Sequence, residues 1–174
     1  MNILKNKIDT ILKKKGLNRH QLSQLFNVSN GTLSKMTIGT KPFSDNIKEK
    51  ILPILEVSKE EFESWIVADN YSPEVIQKAI ESFKNREDKK ILVLTQNIDK
   101  ILKEKNLSRT ALSKLIKHSQ SALNCVIIGK EPLSKNVMEK LSIGLETSQE
   151  DLRAWVLADK YLLKVLELAL KNRL

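Results

Sequence analysis

Two histidines, one cysteine and 21 acidic residues are the first side chains to weigh in this sequence for proton transfer, attack on an electrophile or metal binding. Their placement supports none of these. His20 and His118 are the only imidazoles, so they and the lone Cys125 cannot assemble a Cys/His zinc cluster, and a single cysteine excludes an internal disulfide. Cys125 would be a redox-sensitive contact only if something activated its thiol, and nothing nearby in sequence does. Asp9, Asp99, Asp69 and Asp159 are expected as helix-surface charges rather than paired catalytic carboxylates. No glycine-rich phosphate loop, nucleophile elbow or metal motif is present. The chain therefore reads as a protein that is not an enzyme, with no cofactor, no metal and no evident small-molecule ligand. Trp65, Trp155, Tyr71 and Tyr161 could stack on bases, but burial between helices is expected instead.

The chemistry that remains is electrostatic. Thirty Lys and Arg against 21 Asp and Glu give a net charge of +9 over 174 residues, which attracts polyanions such as nucleic acid or an anionic membrane, or serves only for solubility. No apolar run approaches the roughly 20 residues needed to span a bilayer, and the first residues lack a secretory signal, so a cytoplasmic, nucleoid-associated location is expected. Apolar residues at 41% and charged residues at 29% allow packed cores beneath solvated surfaces. Five Gly, four Pro and few aromatics, set against abundant Leu, Ile, Lys and Glu, predict an all-α fold.

The elements that must position any binding surface come in two copies. Residues 8–71 align without a gap on residues 98–161 at a constant shift of 90, pairing Arg19 with Arg109, Leu22 with Leu112, Leu33 with Leu123, Gly39 with Gly129 and Trp65 with Trp155. Two long units suit two small globular domains better than a solenoid, which needs three or more stacked repeats. In the first copy, Ile8, Ile11 and Leu12 lie at helical spacing ahead of Gly16. Asn18 and Gln21 form a capping box for a second helix carrying Leu22, Leu25 and Phe26. Asn27 suits a left-handed turn, Ser29 caps a third helix bearing Leu33 and Met36, and residues 39–42 stop it. Ser44 caps a fourth helix, in which Pro53 is awkward, and Ser58 with Glu61 opens a fifth. Ser72 and Pro73 start a sixth helix leading toward the second copy. The expected division is 1–72 and 91–160 as helix-turn-helix domains, 73–90 as a linker helix, and 161–174 as a C-terminal helix. That last helix is free to pack on its own domain or on a partner chain, which would make a homodimer.

The segments LNRHQLSQLFNVSNGTLSKMTIGTKP and LSRTALSKLIKHSQSALNCVIIGKEP each resemble the helix-turn-helix core of the Cro/CI (lambda repressor-like, XRE) DNA-binding family. The likeness continues through PFSDNIKEKILPILEVSKEEF and PLSKNVMEKLSIGLETSQEDL, covering most of both copies. It implies two tandem lambda repressor-like five-helix domains joined by a linker helix, with double-stranded DNA as partner and transcription regulation, of phage or mobile-element type, as the role.

The resemblance also implies positions. In the family the third helix enters the major groove, where each base pair presents a distinct donor and acceptor pattern. Matched residue by residue, base contacts fall to Asn30, Gly31, Thr32 and Lys35 in one copy and to Gln120, Ser121 and Asn124 in the other. Gln120 suits adenine because its amide donates and accepts at once. Arg19 and Arg109, with Lys41 and Lys130, would contact phosphate. Unequal third helices imply unequal half-sites. A twofold relation of the heads gives an imperfect palindrome with half-sites about 34 Å apart, and a translation gives a direct repeat.

The second copy departs from the pattern at Lys117 and His118, where the first has Asn27 and Val28. A left-handed lysine costs on the order of 1 to 2 kcal/mol, so an imperfect second turn is expected. That motivates a rival reading, in which the scaffold binds protein as an accessory or inhibitor of a nucleic-acid enzyme.

Overall fold

Short capped helices account for the described chain. The computed structural model describes residues 2–173, and these form α-helices with no strand among the described residues. The first copy supplies α1 (Ile3–Lys14), α2 (Arg19–Leu25), α3 (Asn30–Thr37), α4 (Asp45–Leu55) and α5 (Lys59–Asn70), followed by α6 (Pro73–Lys84). The second supplies α7 (Val93–Glu104), α8 (Arg109–Leu115), α9 (Gln120–Ile127), α10 (Lys135–Leu145) and α11 (Gln149–Lys160), followed by α12 (Leu163–Lys171).

Most boundaries have a local cause. Asn18 Oδ1 accepts from Gln21 N while Gln21 Oε1 accepts from Asn18 N, each at 2.9 Å, so two orphan donors of α2 are satisfied reciprocally. Ser29 Oγ accepts from Thr32 N at 3.1 Å, and Ser58 Oγ accepts from Glu61 N at 3.1 Å. Ser44 stands at the expected cap of α4, yet its side chain makes no capping bond, whereas its counterpart Ser134 accepts from Val137 N. Pro53 does not shorten α4, which runs on to Leu55 and stops at the left-handed Glu56. Lys15 pairs with Glu56, and Lys105 pairs with Glu146 at 2.7 Å.

Helices this short are unstable alone and are held by the apolar faces they bury. The chain divides into two units, Met1–Pro73 with Lys164–Leu174, and Glu74–Leu163. In unit 1, Ile8, Leu12, Leu22, Leu33, Ile51, Phe62 and Trp65 are fully buried. The T-shaped contacts Phe43–Phe62 and Phe62–Trp65, at 5.3 and 6.0 Å, lie among them. Both tryptophans are buried as expected.

Helix α12 is counted with unit 1 and buries Val165, Leu166 and Ala169. Its end is tied down where Asn172 Nδ2 donates to Ser64 Oγ at 3.1 Å and Arg173 Nη2 donates to Tyr71 O at 3.0 Å. Helix α6, expected as a linker, belongs to unit 2 and buries Val75, Ile76, Ala79 and Ile80. There Lys78 Nζ donates to Asp151 Oδ1 at 2.6 Å. Burial pushes Asp151 upward, but the hydrogen bonds from Lys78 and Ser148 leave its carboxyl below the usual carboxylate range.

The aspartates expected on helix surfaces have structural work instead. Asp69 accepts from Ile3 N at 2.7 Å and Leu4 N at 2.9 Å, so a side chain of α5 caps α1. Asp159 does the same for Val93 N and Leu94 N at 2.6 and 2.9 Å. Burial pushes Asp159 up, against the opposing pull of those two amides. Asp69→Ala leaves two helix-start donors without their acceptor, and should cost about 1 to 2 kcal/mol, as loss of a cap does. Denaturant unfolding followed by Trp65 fluorescence in a Trp155→Phe background checks this, an unchanged midpoint refuting the capping role.

Candidate nucleic-acid interface

The turn between α2 and α3 is set by one residue. Asn27 takes φ 52°, which an asparagine tolerates better than most residues, and Val28 N then donates back to Ser23 O at 3.0 Å. The second copy makes the same turn with a less suitable residue. Lys117 takes φ 50°, and His118 N donates to Ser113 O at 2.9 Å. The expected imperfection of the second turn is therefore absent from its geometry, and the lysine's steric cost is carried by the packing around it.

That packing is alike in both copies. Ser23 and Ser113 are buried, each hydroxyl donating to a carbonyl of its own helix, His20 O at 2.7 Å and Thr110 O at 2.8 Å. Small residues there let α2 meet α3, and α8 meet α9. Leu33 and Met36 anchor α3 from beneath, and Leu123, Val126 and Ile127 anchor α9. Gly39 and Gly129, at φ 79° and 72°, end each segment in a conformation that side-chain-bearing residues resist.

The opposite face of each third helix is open to solvent. On α3 the exposed residues include Asn30, Gly31 and Lys35, with Thr32 half-buried; Lys41 is exposed in the loop that follows. On α9 they include Gln120 and Ser121, and Lys130 is exposed in its loop. Asn124 is only partly exposed, and its Oδ1 is enclosed without a hydrogen-bond partner. Ile38 and Ile128 end the two helices as large apolar side chains in the open.

Arg19 and Arg109 are engaged within the protein. Arg19 Nε and Nη2 donate to the two oxygens of Asp9 at 2.6 and 2.7 Å, and Arg109 repeats this with Asp99 at 2.8 and 2.6 Å. A two-bond fork of this kind fixes the start of α2 on α1, and of α8 on α7. It also neutralises the guanidinium, which favours a positioning part over direct phosphate contact. The repeated pairs Asp9/Asp99 and Arg19/Arg109 were the signal for it in the sequence.

Asn30 is likewise engaged. Asn30 Oδ1 lies 2.6 Å from Ser23 Oγ, whose one proton it shares with His20 O, and Asn30 Nδ2 lies 2.9 Å from His20 Nδ1. The Gln24 amide lies 3.2 Å from the other ring nitrogen of His20. His20 was singled out in sequence only as a metal ligand without companions.

Among the described residues no group of His, Cys, Asp and Glu could hold a metal ion, and no helix is long and apolar enough to cross a membrane. Comparison with protein-family models, with curated proteins and with solved structures gives no match.

Proposed function

We propose that this chain is a sequence-specific double-stranded DNA-binding regulator carrying two tandem lambda repressor-like five-helix heads, each laying its third helix in the major groove. One observation carries the reading. Both copies hold a short helix by a buried apolar face while its outer face presents hydrogen-bonding and cationic groups, Gly31, Thr32 and Lys35 on α3 and Gln120 and Ser121 on α9. The major groove admits an α-helix, and such groups complement base edges and phosphates. The Cro/CI resemblance supplies the docking mode, and the +9 charge supplies the attraction.

Lys35→Ala should weaken binding on all duplexes, since a flexible ammonium acts as a point charge. Gln120→Ala should relax preference at one position by about 1 to 3 kcal/mol. Native-gel titration against selected and random duplexes separates the two effects. Equal loss on every sequence from Gln120→Ala would remove it as a base reader. A chain that shifts no duplex preferentially would support the accessory reading, for which the exposed apolar Leu115 and Ile143 of unit 2 are the relevant observation.

A further inference from the structure

We propose that the first residues of the two third helices divide the work, Asn30 positioning α3 on its support and Gln120 reading a base from α9. This rests on the DNA-binding reading and refines it. Recognition of adenine by a side-chain amide needs the carbonyl oxygen and an N–H aimed together at one base. In Asn30 the oxygen is turned to the Ser23 hydroxyl at 2.6 Å and an N–H faces His20 Nδ1 at 2.9 Å. Although exposed, the amide is held in the orientation that its contacts with two residues of α2 set, and swinging it to aim both atoms at a base would give those contacts up. One of these, Ser23, is buried, and its one proton is shared between Asn30 Oδ1 and His20 O. What the amide does instead is fasten the first residue of α3 to α2, which sets the angle at which α3 leaves its support.

The second copy serves as an internal control. Gln120 occupies the place of Asn30, and Thr110 occupies the place of His20. Ser113 donates to Thr110 O, and among the described residues Gln120 has no side-chain hydrogen bond, so both ends of its amide remain available to a base. Charge is divided the other way, since α3 carries exposed Lys35 where α9 carries Cys125. On α3 Lys35 thus adds grip that is indifferent to sequence, and on α9 the bidentate amide of Gln120 adds discrimination.

The test uses the full chain, a duplex selected by it from a random pool, and every single-base-pair variant of that duplex. Gln120→Ala should lose about 5- to 150-fold on the selected duplex and nothing further when one A·T pair is replaced. Asn30→Ala should weaken all duplexes by a common factor and lower the thermal midpoint reported by Trp65. His20→Ala should do the same, and the double variant should be no weaker than the weaker single one, because the two side chains act as a unit. Loss of preference at one base pair in Asn30→Ala, at an unchanged midpoint, would overturn the proposal. So would additive losses from His20 and Asn30. If the unaltered chain prefers no duplex, the DNA-binding reading fails and base discrimination by unit 2 fails with it. The midpoint of Asn30→Ala against Gln120→Ala still decides whether Asn30 fastens α3.

Discussion

Leu166→Ala should destabilise unit 1 by about 2 to 5 kcal/mol, the usual cost of emptying a fully enclosed leucine site. The residue lies near the end of the chain, where truncation is ordinarily harmless. Here Leu166 has no exposure to solvent, and α12 is counted with residues 1–73. The helix is further fixed by Asn172 on Ser64 and Arg173 on Tyr71 O. The paired experiment is Ile76→Ala in α6, an equally buried residue that belongs to unit 2. With one tryptophan left at a time, Leu166→Ala should move the Trp65 unfolding transition more than that of Trp155, and Ile76→Ala the reverse. The opposite assignment of the two shifts would refute this membership of the helices.

The second large effect is on affinity for DNA. Raising salt from 50 to 200 mM should weaken binding on the order of 10³-fold if about six phosphates are neutralised, with log affinity falling by about 0.9 per phosphate for each unit of log salt. Lys35, Lys41 and Lys130 are exposed on or beside the third helices and should set that slope. Arg19 and Arg109 should add little, because Asp9 and Asp99 already neutralise them. Asp9→Asn should release Arg19 and steepen the slope. A flat response would exclude electrostatic binding to the duplex, and a slope unchanged by Asp9→Asn would place Arg19 outside the phosphate contacts.

What could be read from the sequence was whatever depends on near neighbours. The Asn18–Gln21 capping box, the left-handed Asn27, the anchors Leu33 and Leu123 and the breaks at Gly39 and Gly129 are matters of local spacing, and the two copies repeat the leucine anchors and the glycine breaks. Contacts between residues distant in sequence could not be read in this way. Asp69 caps α1 from 65 residues away, and an aspartate on an amphipathic helix looks like any solvated charge. The destination of α12 was hidden for a different reason. Val75, Ile76 and Ala79 in α6 and Val165, Leu166 and Ala169 in α12 have the same spacing, so apolar periodicity is blind to which unit each helix joins. The polar partners differ, Lys78 finding Asp151 and Asn172 finding Ser64, but such pairs are recognisable only once the helices are placed.

At the candidate interface the third helices and the exposure of Gly31, Lys35, Gln120 and Ser121 followed from helical spacing, whereas Thr32 and Asn124 are only partly exposed. The roles of Asn30 and Arg19 did not follow, because each depends on a rotamer chosen by a partner in α2 or α1. A residue type that can read a base can equally well bind its own scaffold. Only the geometry distinguishes Gln120 from Asn30.

Methylation interference on a duplex selected by the full chain tests most directly whether α3 and α9 lie in the major groove. Methyl groups on guanine N7, which stand in that groove, should block binding within the selected site, and methyl groups on adenine N3, which stand in the minor groove, should not. Interference from the minor-groove positions alone, or from neither, would contradict the account.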